Sequence, residues 1–272
     1  MKKVLKITGI TLLSLMLIAF LIPILFKGKI VAYVKKEINS SLQAKVDFTG
    51  VDLSLFRRFP KLSIRLENLY VAGVNEFEGD TLLKAPSVDA AVNLFSLFDT
   101  EDMKLYGFHL DKPSIRALVN EEGKANWEIT KEDIVTVTTE DSSTSSFNLN
   151  IEKYSITDGY LLYDDQSSNM RLELIGLNHE GGGDIGAEVY TLATTTSARE
   201  ASFVYEGIPY LAKAKTSIGT DITINTSNGR YDFKTDDILV NDLKLSAEGF
   251  FQLANDSTYN MDIQFRTPSN EF

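Results

Sequence analysis

Several residue types that support common kinds of chemistry are absent or scarce in this sequence. It contains no cysteine and only two histidines among 272 residues. Disulfides, thiolate metal sites and cysteine nucleophiles are therefore excluded, and the fold must rest on noncovalent packing. The histidines, His109 and His179, do not form an H-x-x-x-H metal pair, so we interpret them as surface or edge side chains of strands.

A surplus of basic residues is also lacking. The chain has 27 Lys and Arg against 38 Asp and Glu, which gives a net charge of −11. Binding to a phosphate backbone needs a clustered basic surface, so we expect no nucleic-acid partner.

Recognisable catalytic motifs are missing as well. No G-x-S-x-G sequence occurs, and the run Gly181–Gly183 lacks the Lys-Ser/Thr that completes a phosphate loop. The adjacent acids Glu121-Glu122 and Asp164-Asp165 are the best remaining acid/base candidates, but paired acids in turns are common in so acidic a chain. We therefore predict a protein that is not an enzyme and needs no cofactor or metal.

What is present begins with an apolar run at the N-terminus. Residues Ile7–Phe26 form 20 uncharged positions preceded by three lysines, which is long enough to cross a bilayer as a helix. The alternative, a cleaved signal, usually has an apolar core of about 7–15 residues, so we predict an uncleaved anchor. Lysines flank both ends of this apolar run, so positive charge does not decide its orientation in the membrane. Because long domains are translocated largely regardless of their charge, we favour a cytoplasmic N-terminus and an exported main domain.

A short amphipathic helix is predicted directly after this run. Ile30, Val34, Ile38 and Leu42 recur every four residues, with charged and polar residues between them. We expect this helix to cover one end of the core, and the open alternative is a helix lying in lipid headgroups.

From residue 46 onward the hydrophobic period changes to two, which predicts a mainly β fold. Leu62, Ile64 and Leu66 alternate with polar residues, and the parity shifts at Leu69, as a bulge or turn at Glu67-Asn68 would produce. Similar alternation recurs to the end of the chain. Turns at Asn228-Gly229, Asp236-Asp237 and Asn255-Asp256 favour an antiparallel meander.

Composition divides the chain into four parts. Residues 130–147 are acidic and rich in Ser and Thr, which is typical of an exposed linker. We expect a glycine-rich flexible break at 179–188, and the following segment, 189–212, reads as strand or loop. The predicted organisation is an anchor (1–27), an N-terminal β domain (28–130), a linker (131–147) and a second β region (148–272).

Several motifs in this order resemble a known family. They are Phe59-Pro60 before an alternating strand, Leu94-Phe95-Ser96-Leu97 after a strand of small apolar residues, and Pro113 followed by Gly123 and Asn126-Trp127. Together with the N-terminal anchor they resemble the N-terminal domain of the AsmA family of bacterial envelope proteins. Residues 150–268 are similar to the middle part of AsmA-like proteins of the Bacteroidetes type. Such proteins usually continue further, so the resemblance implies that the second region is incomplete.

The resemblance implies a single-pass inner-membrane protein whose main domain lies in the periplasm. It implies a long curved antiparallel sheet with an apolar groove that carries phospholipid tails, and a role in outer-membrane biogenesis. Alternating strands suit such a groove, but they suit a closed sandwich equally. About a dozen strands would span about 60 Å, too short for a continuous path between two membranes, so a longer product or a partner would supply the rest.

Candidate groove residues follow from the alternating strands. They are Leu62, Ile64, Leu66, Ile115 and Leu118, although Ile115 and Leu118 differ in parity and at most one fits a regular strand. Trp127 either closes the core at a hairpin end or lines a lipid entrance. The alternative function is a scaffold or regulator that binds outer-membrane assembly factors through a sheet edge and holds no lipid.

Overall fold

A computed structural model describes residues 42–58, 61–93, 105–129, 151–183, 187–255 and 258–267, together with residue 185 and eight positions between 28 and 40. Of these residues, 74% lie in strands, and all the strands belong to one long curved sheet. The mainly β prediction is therefore confirmed.

The N-terminal half of the sheet holds a small cluster of buried residues. Its elements are β1 (Lys45–Asp47), β2 (Gly50–Arg58), β3 (Lys61–Ala72), a 3-10 turn (Asn75–Phe77), β4 (Thr81–Asn93), β5 (Leu105–Asp111) and β6 (Ser114–Val119). The described positions between 28 and 40 are helical, and Ile38 and Leu42 pack against the cluster of Ala44, Val46 and Val71. The expected packing of this segment against the core is therefore confirmed for Ile38 and Leu42.

The C-terminal half is a meander of long strands. They are β7 (Lys153–Asp165), β8 (Met170–Gly182), β9 (Val189–Tyr205), β10 (Ile208–Asn225), β11 (Arg230–Val240), β12 (Leu243–Asn255) and β13 (Thr258–Arg266). The ambiguous segment 189–212 is thus strand, with a turn at 206–207. The predicted glycine-rich break at 179–188 is confirmed in part: β8 runs through Gly181 and Gly182, and the connection to β9 follows it. The predicted turn at Asp236-Asp237 is wrong, because both residues lie inside β11, where the register with β10 and β12 shifts.

The sheet is mixed, so the purely antiparallel prediction is wrong. β7 pairs in parallel with both β5 and β6, while the other pairs are antiparallel. A parallel pair needs a long connection that returns the chain to the starting end, and residues 120–152 provide that length between β6 and β7. Residues on both sides of the predicted linker therefore build the same sheet, with the linker itself outside the described residues.

A line of left-handed residues crosses the sheet from β3 to β8 at one level. Their φ angles are 52° at Asn68, 46° at Lys112, 48° at Asp158 and 65° at Gly176. Strand pairing places Lys112 level with Asp158 and Gly176 close beside it. We call this line the crease. Left-handed residues bend a strand and change which side its following residues face, so the crease explains the predicted parity shift at Asn68.

Large side chains are rarely buried among the residues that the structure describes. Of the 20 buried hydrophobic residues in these ranges, nine are alanines, and the largest fully buried side chains are Phe48 and Pro113. A sandwich would instead bury Leu, Ile and Phe between two layers. Across the strands that the structure describes, the sheet is a single layer without a second sheet packed on it.

Three predicted features fall outside the described residues: the span Ile7–Phe26, Phe59-Pro60 and Leu94–Leu97. Among the residues that are described, no helix is both long and apolar enough to cross a membrane.

Candidate functional site

One side of the sheet carries rows of apolar side chains that continue from strand to strand. Above the crease, towards the turn at 226–229, directly paired residues on β3, β4, β5 and β7 are Leu66, Val88, Leu110 and Ile156. The row continues through β8 to β12 as His179, Thr196, Ile218, Ile238 and Leu245. We call this side the apolar face.

Below the crease a second row continues the same face. It runs from β1 to β9 through Val46, Val71, Leu83, Ile115, Leu161, Leu174 and Ala201. Gly159, two residues before Leu161, links the two rows: a Cβ there would lie 2.9 Å from the Ile156 side chain and 3.2 Å from the Pro113 ring. The apolar rows above and below the crease therefore lie on the same side of the sheet.

Above the crease, the opposite side is polar. A row of paired residues crosses β2, β3, β4, β5, β7, β8 and β9 as Asp52, Arg65, Asp89, His109, Ser155, Glu180 and Thr195. Within it, Arg65 Nε donates to Asp89 Oδ1 at 2.7 Å, and His109 Nδ1 lies 2.9 Å from Ser155 Oγ. The hydrogen bond to Asp89 raises the pKa of Arg65. This polar face suits contact with water.

The polar face also holds a depression of about 470 Å³ whose cations are already paired. Lys61 Nζ is 2.7 Å from Glu152 Oε2, and Lys153 Nζ is 3.1 Å from Glu180 Oε2. With Arg65 bound to Asp89, these pairs leave no cation of the lining without a carboxylate neighbour. The depression is therefore a poor candidate for an anion site.

Aromatic rings and a half-buried histidine lie on the apolar face. The Phe108 and Tyr154 rings stack with centroids 5.7 Å apart, and His179 lies 5.4 Å from Tyr154. His179 Nδ1 is 2.8 Å from Thr196 Oγ1. Burial lowers the pKa of His179, which favours a neutral imidazole at neutral pH. Because β5 and β8 are interior strands, neither histidine lies at a sheet edge, and that part of our interpretation is wrong.

The sequence candidates on β3 share the apolar face but differ in accessibility. Leu62, Ile64 and Leu66 pair directly with Val92, Ala90 and Val88 on β4. Leu62 is 3% exposed, whereas Ile64 and Leu66 are half-buried. A bound molecule would therefore reach Ile64 and Leu66 more readily than Leu62.

The candidates on β6 separate to opposite sides. Ile115 pairs with Leu83 and Leu161 on the apolar face. Leu118 pairs with Asp164, which receives a 3.0 Å hydrogen bond from Arg171 on the polar face. Of the two, Ile115 alone is placed to contact an apolar ligand, as the parity argument anticipated.

Trp127 lies at the border of the apolar face. Its ring is 6.1 Å from that of Tyr163, and 42% of the residue is exposed. It therefore does not close a core. Gly123 has φ 80°, as the predicted turn requires.

The side chain that fixes this turn is Asn126, a role the sequence did not reveal. Asn126 is 3% exposed; its Nδ2 donates to the Arg116 carbonyl at 2.8 Å, and its Oδ1 accepts from the Leu118 N–H at 3.0 Å. The sequence signal for this role was the position of Asn126 directly before the only tryptophan and after a turn that contains glycine.

Acidic side chains take structural roles in turns. Ser167 Oγ donates to Asp165 Oδ1 at 2.6 Å, and this bond, with further bonds from Ser168 and Tyr163, lowers the pKa of Asp165 to about 2. Within the described ranges, no group of three or more His, Asp or Glu side chains is arranged to hold a metal ion.

Comparison with models of known protein families gives a match. The model of the AsmA family matches residues 1–255 of the chain. No curated protein and no solved structure matches the chain.

Proposed function

Because the chain belongs to the AsmA family, we propose that it takes part in cell-envelope and outer-membrane biogenesis by binding phospholipid tails along its apolar face. In this proposal the predicted span anchors the protein in the inner membrane, and the sheet lies in the periplasm. The protein performs no covalent chemistry and uses no cofactor.

The observation that carries this proposal is the half-exposed apolar face. Ile64, Leu66 and Leu174 are each only partly buried, although they lie in the interior of the sheet. An acyl chain would cover such side chains and gain about 0.8 kcal/mol for each methylene removed from water. The polar face would remain hydrated, as a single-layer carrier requires.

The dimensions fit several acyl chains but not a complete bridge. The main path of the sheet has 11 strands, and ten spacings of about 4.8 Å give about 48 Å. This length is below our sequence estimate because β2 and β6 pair beside the main path rather than extending it. Transfer between membranes would need a longer product or a second protein.

Site-specific photo-crosslinking in the full-length protein tests this proposal. A photoreactive amino acid replaces Ile64, Leu174 or Ile222 on the apolar face; Ile222 lies four residues after Ile218 on β10, in continuous register with β9, and so shares its face. The matched controls replace their neighbours on the opposite side of the sheet, Ser63, Glu173 and Thr223. We expect phospholipid adducts, detected by mass spectrometry, at the first three positions and not at the controls.

Equal labelling of both faces, or no lipid adduct at any apolar position, would contradict the lipid proposal. Protein adducts in place of lipid adducts would instead favour the scaffold alternative, in which an outer-membrane assembly factor is the partner. Ile64→Asp together with Leu66→Asp provides a second readout: it should lower the adduct yield at Leu174 with the fold retained by circular dichroism. Ser63→Asp should leave the yield unchanged.

A further inference from the structure

A short polar band interrupts the apolar face above the crease. The row of paired residues that contains Ile64 on β3 and Phe108 on β5 changes character when it reaches β7. From β7 to β11 it continues with small or polar residues, which are Tyr154, Gly181, Thr194, Thr220 and Thr235. The directly paired His179 and Thr196 lie beside them in the next row towards the crease. We call this group of residues the polar band.

The hydroxyl group of Tyr154 is one hydrogen-bonding group that the polar band offers to a ligand. The Tyr154 ring lies across Gly181, where a Cβ would be 2.5 Å from the hydroxyl oxygen. Among the described residues, this hydroxyl makes no hydrogen bond. Burial raises the pKa of Tyr154, so the hydroxyl stays protonated and can donate to an acceptor on the apolar face.

The second hydrogen-bonding group is the imidazole of His179. Burial lowers the pKa of His179, which favours a neutral ring with a single N–H. Its Nδ1 lies 2.8 Å from Thr196 Oγ1, and when the Thr196 hydroxyl donates to Nδ1 the N–H is on Nε2. Nε2 has no hydrogen-bond partner within the part of the chain that the structure describes. Because the Tyr154 and His179 ring centroids are 5.4 Å apart, both donors serve one small region.

We propose that the polar band binds the ester carbonyl groups of a glycerophospholipid, with Tyr154 and His179 as the hydrogen-bond donors. This inference rests on the proposed function and adds which part of the lipid is recognised. A phosphate or a free carboxylate is held best by a cation, but none of the paired residues in the two rows is acidic or basic. An ester carbonyl accepts hydrogen bonds without carrying a charge. The acyl chains would lie along the apolar rows beside the band, and the headgroup would remain in water.

The polar face provides a matched pair of residues for the controls. His109 Nδ1 lies 2.9 Å from Ser155 Oγ, and these two residues pair directly across β5 and β7, as His179 and Thr196 do across β8 and β9. His109 lies on the side of the sheet that faces water in the proposed function. Replacing either histidine with leucine removes an equivalent side-chain hydrogen bond, so the comparison separates lipid recognition from a structural role.

Competition between ester and ether lipids tests the proposal in the full-length protein purified in detergent. Dipalmitoyl phosphatidylglycerol and its dihexadecyl ether analogue share headgroup and chain length and differ in their ester carbonyls. Each hydrogen bond is worth about two- to tenfold in affinity, so the ester lipid should bind at least about fourfold more tightly by native mass spectrometry. Tyr154→Phe with His179→Leu should abolish this preference and leave binding of the ether lipid unchanged. His109→Leu with Ser155→Ala should retain the preference.

The outcomes separate this inference from the proposed function. Equal binding of the two lipids by the original protein would overturn ester recognition but leave lipid binding intact, whereas failure of both lipids to bind would overturn both proposals. A preference that survives Tyr154→Phe with His179→Leu would also overturn the inference. So would palmitate that competes as strongly as the ester lipid, because the ligand would then be a free carboxylate. Tyr154→Phe alone removes one hydroxyl and should lower the preference about two- to tenfold, which keeps the test decisive if the double variant does not fold.

Discussion

Replacing Asn126 with alanine should open the turn that follows β6. The Asn126 side chain satisfies the Arg116 carbonyl and the Leu118 N–H, and it is almost fully buried. Alanine leaves both backbone groups without a partner in a place that water reaches poorly. Each such group costs about 1–3 kcal/mol, so for two groups we expect a total of about 2–6 kcal/mol.

Asn120, in the same turn, provides a matched control. Its Oδ1 also accepts two backbone bonds, from Glu122 N at 3.0 Å and Lys124 N at 2.9 Å, but both bonds are exposed. Water can replace them, so Asn120→Ala should cost about 1 kcal/mol or less.

Hydrogen–deuterium exchange of residues 114–129 measures the difference. A loss of at least about 2 kcal/mol corresponds to at least about thirtyfold faster exchange through local opening, and Asn120→Ala should stay below about tenfold. Similar acceleration in both variants would refute the reasoning, because it would mean that burial of the Asn126 bonds contributes nothing.

Two further predictions concern titration and close packing. Hydrogen bonds depress the pKa of Asp165 to about 2 from 3.8, so its contribution to stability should be complete above about pH 4 and disappear as the pH falls towards 2. Asp165→Asn should therefore destabilise the protein at neutral pH and match the original chain near pH 2 in urea unfolding, and a constant difference across this range would contradict the assignment. Gly107→Ala should lower the thermal midpoint, because its Cβ would collide with the Lys153 carbonyl at the parallel β5–β7 pair, at a cost of about 1–3 kcal/mol. Gly219→Ala, which meets nothing within 4 Å, should not, and equal shifts would refute the clash.

The strand content was predictable because alternation is a local property. Leu62, Ile64 and Leu66 identified one face of β3, and the parity change at Leu69 located the kink that Asn68 makes. Pairing partners were not predictable in the same way. The parallel β5–β7 pair depends on where the chain returns after residues 120–152, and no local pattern encodes that path.

The candidate site was predictable only in part. Because Ile115 and Leu118 are an odd number of positions apart, the sequence showed that at most one of them lies on the apolar face. Which one shares a face with the β3 residues depends on how β6 pairs with its neighbouring strands, and the sequence does not encode that register. Asp236-Asp237 resembled a turn because paired acids favour turns, but in the structure they form an irregularity within β11, where its register with β10 and β12 shifts. Whether the apolar face lay open or under a second layer was likewise a matter of tertiary structure.

The crease has a consequence for how such a protein can change length during evolution. Each hairpin of the C-terminal meander pairs mainly with its two neighbours. No described non-glycine residue inside β11, β12 or β13 is left-handed, so a hairpin there can be duplicated or deleted without altering the crease or a central core. Growth by whole hairpins would lengthen the apolar face without disturbing the rest of the sheet.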